Sequence, residues 1–182
     1  MTWSLPASAA WQLDPGQSRV EATVIEVTPS GQVPHTHEVH QLQGELDTDG
    51  VLRIPLRLRQ TDILDRVGQL PPLLSGLADS TLATVVAEFD PQWLDSLAVG
   101  ESATRTLMLG IQSGDQTRRE PLSVRLTRTS ADTVHVRNAE RVALDGNELM
   151  NDPTARTLLM LLGYEQIGNE VPVELDATLI DR

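Results

Sequence analysis

The densest group of side chains able to do chemistry is His35-Thr36-His37-Glu38-Val39-His40, which holds all but one of the chain's four histidines. On an extended strand His35 and His37 share a face two residues apart, the spacing that pairs of metal ligands use. His40 then points the other way unless the strand bulges. A zinc or copper site needs a third ligand, which Glu38 or the distant His135 could supply. Two readings follow: a metal-binding protein or metal-dependent enzyme built on His35, His37 and His40, or histidines that are structural or sit on a rim.

Other catalytic signals are absent. The sequence has no Gly-x-Ser-x-Gly elbow, no phosphate-cradling glycine loop and no His-Glu-x-x-His helix. Most carboxylates alternate with apolar residues, as on the watered face of a strand. Asp14, just before Pro15, reads as a turn residue. The residues therefore give no positive case for an enzyme.

The elements that must position these groups are strands. In Val51–Gln60, Leu52, Ile54, Leu56 and Leu58 alternate with Arg53, Pro55, Arg57 and Arg59, the period of two of a strand with one dry face. The same period recurs in Glu120–Arg128 and Val171–Ile180. Further strands are expected over about Ser18–Val27, His35–Leu46, Leu82–Phe89, Thr104–Gln112 and Thr133–Leu144. Turn signals stand at Pro29-Ser30-Gly31, Asp47-Thr48-Asp49-Gly50 and Ser113-Gly114-Asp115. Apolar residues from Ile63 to Leu77 recur at helical spacings, broken by Pro71-Pro72. One helical turn is expected at Trp93–Leu97 and a short helix at Pro153–Leu162, stopped by Gly163. About eight one-sided strands imply an all-β protein: an eight-stranded antiparallel barrel with short helical insertions, or a sandwich.

Composition narrows the partners. The 182 residues suffice for one domain, here residues 11–182, with residues 1–10 a flexible arm or the remnant of a secretory signal. A formal charge of −12 leaves no basic surface to neutralise phosphates, which argues against nucleic acid and against electrostatic docking on an anionic membrane. No apolar run is long enough to span a bilayer as a helix. Without cysteine there is no disulfide or thiolate chemistry, and with one Phe, one Tyr and three Trp the interior is mostly aliphatic. Alternation assigns Leu52, Ile54, Leu56, Leu58, Val85, Ala87, Leu107, Leu109, Leu122, Val124, Leu126, Val134 and Val136 to that interior. Alternation looks the same whether the interior is filled or hollow.

Three landmarks carry a resemblance. They are Trp11-Gln12-Leu13-Asp14-Pro15 with Ser18; Gly44-Glu45-Leu46 with Asp49, the Leu52–Leu58 strand and Thr61-Asp62-Ile63; and Leu158–Leu162, Gly163, Ile167 and Val171-Pro172-Val173. In order and spacing, nearly the whole chain from Trp11 resembles the YceI-like family of bacterial lipocalin-like barrels. The resemblance implies a hollow bore lined by the thirteen residues above, binding a polyisoprenoid or ubiquinone-like lipid in the periplasm. It implies a noncatalytic carrier with no cofactor beyond that lipid, not inserted in the membrane, and compatible with a homodimer. The chain departs from the family pattern after Thr61, at Glu88-Phe89-Asp90-Pro91, and at Leu144-Asp145-Gly146-Asn147-Glu148-Leu149. The bore's end near the last segment is therefore expected to have its own shape.

Overall fold

The computed structural model describes residues 11–67, 81–113 and 116–181, with Pro72 and Gly76. The expected arm, much of the proline-broken segment and the Gly114-Asp115 turn lie outside the described residues. In chain order the elements are β1 (Trp11–Leu13), β2 (Arg19–Thr28), β3 (Gly31–Val39), β4 (Val51–Arg57), α1 (Ile63–Val67), β5 (Thr81–Glu88), α2 (Gln92–Asp95), β6 (Ser102–Ser113), β7 (Gln116–Ser130), β8 (Thr133–Asn138), β9 (Val142–Asp145), α3 (Gly146–Asn151), α4 (Pro153–Leu161) and β10 (Glu170–Asp181).

Eight strands form one curled antiparallel sheet in the order β3-β2-β10-β8-β7-β6-β5-β4, with β1 and β9 both paired to β10. The curl brings the two edges together as a half-barrel with an incomplete seam. Among the described residues, the backbone of β3 pairs with the chain after β4 only at the Val39–Thr61 bridge and two adjoining bonds, beside side-chain contacts such as Arg66 to the Thr36 carbonyl. In the two backbone bonds, His40 N–H donates to the Gln60 carbonyl (2.9 Å) and Asp62 N–H to that of Glu38 (3.1 Å).

Three expected strands are revised. The second ends at Val39 instead of Leu46, because Gln41 takes a left-handed φ of 55° and turns the chain inward. Leu42 and Leu46 are thereby buried at the base of the bore. Gly44 is forced there, since a Cβ would come within 2.6 Å of the Arg53 carbonyl. The strand from Val51 stops at Arg57, whose N–H donates to the Gln60 side chain (2.7 Å), so Leu58 opens a 3-10 turn. The strand from Thr133 splits into β8 and β9 at Asn138. There the Asn138 side chain accepts from Leu175 N–H (3.0 Å) and donates to the Glu140 carbonyl (2.9 Å), replacing ladder bonds.

The main core sits at the closed end of the bore, where Leu126, Val134 and Leu179 are fully buried with Trp11, Leu42 and Leu94. Trp11 Nε1 donates to Asp95 (3.1 Å), and the Arg128 guanidinium lies 5.8 Å from its ring while donating to the Leu94 and Leu97 carbonyls. These contacts plug the base with α2. A second, smaller cluster joins Val24 and Val171 to Leu159 and Tyr164.

Candidate functional site

The strands turn one alternate set of residues inward, and halfway up the bore those side chains stop meeting. Between them lies a cavity of about 420 Å³, of the size that binds small ligands. Its walls come from β4 (Leu52, Ile54, Leu56), β5 (Val85, Ala87), β6 (Leu107, Leu109), β7 (Leu122, Val124), β8 (Val136) and β10 (Leu175, Ala177, Leu179). Burial along β7 shows how the space is shaped. Val124 and Leu126 are fully enclosed, Leu122 is nearly so, and Glu120 and Arg118, on the same inward alternation, are only half-buried. The bore is thus shut at the Leu126 end. At the other end the lining includes α4, where Thr154 is exposed and Leu158 half-buried.

Of the thirteen residues expected to line the bore, the structure brings all but Leu58, Leu126 and Val134 to this cavity. Those three are corrected. Leu58 is buried in the turn after β4, while Leu126 and Val134 sit too deep, in the packed base beside Trp11. The lining that was missed on β10 carried a readable signal, because Leu175, Ala177 and Leu179 alternate with polar residues. The contributions of Val20 on β2 and Leu158 on α4 had none so direct.

α3 and α4 shape the open end. Asp145 caps α3 through Asn147 N–H (2.8 Å), and Asp152 caps α4 through Thr154 N–H (2.9 Å). Gly146 cannot be replaced without moving the backbone, because a Cβ there would come within 2.0 Å of the Gly168 carbonyl. This close approach ties the segment where the chain departs from the family pattern to the irregular stretch leading into β10.

The histidines take up other positions. On β3, Val39 pairs with Val20 and joins the cavity lining, whereas His35 and His37, in register with Val24 and Ala22, are covered by Tyr164. His35 also borders a separate open depression of about 430 Å³ with Glu26 and Arg66. His37 Nδ1 is 3.3 Å from Asp62 Oδ1 and its Nε2 is 3.1 Å from the Tyr164 hydroxyl, so both ring nitrogens are engaged. His35 stacks on Tyr164 with ring centroids 4.7 Å apart and bonds to Glu26 (3.0 Å). Burial holds the His37 pKa below its ordinary value against the opposing pull of Asp62. Burial likewise pushes the Tyr164 phenol up. His40 borders a wide polar depression of about 610 Å³ on the outer face of the sheet, with His135 and Asp176 on its floor. His135 bonds to Asp176 (2.5 Å), and this hydrogen bond holds that carboxyl below the usual range. Among the described residues no three His, Asp or Glu side chains converge as a metal would require. The metal reading of the cluster finds no support in this geometry.

No family model matches the sequence, and no curated protein matches it. The fold does match a solved structure, a polyisoprenoid-binding domain from Saccharophagus degradans implicated in plant cell wall breakdown. The two superpose with a TM-score of 0.74 over 96% of this chain and 99% of that one, at 20% identity. The class of architecture is therefore a curled antiparallel half-barrel with the fold of that domain. It is the fold that the YceI-like resemblance implied.

Proposed function

We propose that this protein is a noncatalytic carrier that holds the apolar tail of an isoprenoid lipid in its bore. The observation that carries the reading is the cavity itself, a 420 Å³ space walled by aliphatic side chains and closed at one end. A fold kept only for stability would close such a space, since each unfilled volume forfeits dispersion contacts. The larger outer depression is polar and open and would not shelter a tail from water. The fold shared with a polyisoprenoid-binding domain supports the same ligand class.

The energetics suit a reversible carrier. Burying about 15 carbons at about 0.8 kcal/mol each yields about 12 kcal/mol before costs. Association and ordering of the chain consume about 4 kcal/mol or more of that. Affinity in the micromolar range or somewhat tighter is the expected result, loose enough for release. We place the carrier in the periplasm on the resemblance, a placement that cell fractionation tests.

Native mass spectrometry of the protein purified from its own host, followed by lipid extraction, tests the reading. The expected result is an adduct that extracts as an isoprenoid. Protein that carries no lipid, and takes up none when offered farnesol, would contradict it.

A further inference from the structure

The side chains with polar groups on the cavity wall gather toward its open end: Glu120, Asn138, Asp152 and Thr154. Asn138 is committed on both sides of its amide to Leu175 N–H and the Glu140 carbonyl. Asp152 and Glu120 present carboxylate oxygens, which only accept hydrogen bonds. The guanidinium at this end, Arg118, lies on the same inward alternation of β7 and is clamped between two carboxylates. It reaches Glu120 Oε1 at 2.5 Å and Glu148 Oε2 of α3 at 2.5 Å. Arg119 belongs to the opposite alternation and pairs with Glu88, and Arg156 is exposed and outside the lining. Arg118 is thus matched by the two carboxylates of Glu120 and Glu148 at the mouth of an apolar bore.

We infer that this mouth sorts isoprenoids by their head group, an inference that rests on the carrier reading above. It takes heads that are uncharged and donate a hydrogen bond, such as an alcohol or a phenol, and turns away phosphate and diphosphate heads. Glu120 is the specificity-determining residue, because it both faces the cavity and occupies the guanidinium that an anionic head would otherwise use. A hydroxyl finds an acceptor there. A diphosphate finds like charge, and its preferred bidentate partner is already taken. Length follows from volume. An engineered cavity of about 150 Å³ holds benzene, so by proportion about 420 Å³ encloses about 17 carbons, or about three isoprene units. Longer chains must extend past α4.

The test uses farnesol and farnesyl diphosphate as probes on the full chain stripped of lipid, with affinities measured by calorimetry at low salt. Farnesol is expected to bind at least tenfold more tightly than the diphosphate. The gap should shrink as salt is raised, because the opposing charge at the exposed mouth is screened. In Glu120→Gln/Glu148→Gln, Arg118 is released, and the ratio should fall at least tenfold toward the diphosphate. Arg118→Gln should move it the opposite way. The three side chains are each more than one-third exposed, so the variants should fold, as thermal melting will verify. Equal affinity for both probes in the parent, or a ratio unmoved in the double variant, would overturn head-group sorting and leave the carrier intact. Binding of neither probe would overturn the carrier reading and the sorting with it.

Discussion

Two parts of the inner surface face the same way and have opposite contents. Leu52, Ile54 and Leu56 on β4 look into empty space, while His35 and His37 on β3 look into a packed cluster with Tyr164. Inward orientation is therefore not what makes a residue a binding residue here. The difference lies in what the rest of the chain brings. The stretch after α4 sends Tyr164 down onto the histidines, and Gly168 N–H bonds to the Ile25 carbonyl (2.7 Å) to hold that stretch on β2. Among the described residues nothing comparable descends onto β4, β5 and β6.

The sharpest way to break the comparison is to remove the filler. Tyr164→Ala deletes a buried ring and leaves His37 with an unpaired nitrogen, and it should cost about 3 kcal/mol or more in urea unfolding. A loss below about 1 kcal/mol would mean that the cluster is not packed as described. Overpacking comes next. Val24→Phe pushes a ring into the filled side and should cost about 1–3 kcal/mol, whereas Leu56→Trp and Leu109→Trp enter the cavity and should cost less than about 1 kcal/mol. Equal costs in the two regions would erase the distinction between hollow and filled.

The smallest expected effect is a pH dependence confined to the filled side. The folded state holds the His37 pKa below its ordinary value of 6.5. The unfolded chain therefore takes up a proton first as pH falls through 6.5, and stability drops until the folded pKa is passed. Above 6.5 His37 contributes no slope. In His37→Gln this part of the acid-side loss should vanish while other groups keep theirs. Unfolding free energies measured between pH 7.5 and 5 in both proteins will show it, and parallel curves would contradict it.

How much of this was legible in the sequence follows from the range of each interaction. The strands were, because period-two alternation is local: Leu122, Val124 and Leu126 declare β7 without reference to anything else. The break at Gln41 was not, since a left-handed residue other than glycine carries no signature. The helix α3 and the short β1 also went unforeseen, the first being only six residues long and the second three. The site was half legible. Alternation correctly placed Leu56 and Leu109 on the inner face, yet it put Leu126 and Val134 beside them although both are locked in the base. Depth along a bore depends on where Trp11 and α2 plug it, and that plug spans 84 residues of sequence. The contact of His37 with Tyr164 spans 127, so the histidine motif offered metal spacing with no sign of its real partner.

The central claim, that the bore is hollow in order to hold a tail, is tested most directly by titrating farnesol into the parent and into Leu56→Trp by calorimetry. The account predicts one farnesol per parent chain with a negative heat-capacity change, the mark of buried apolar surface. It predicts a variant that keeps its stability within about 1 kcal/mol and has lost the binding. A parent that binds no farnesol, together with a variant destabilised by the full overpacking cost, would show a filled core and contradict it.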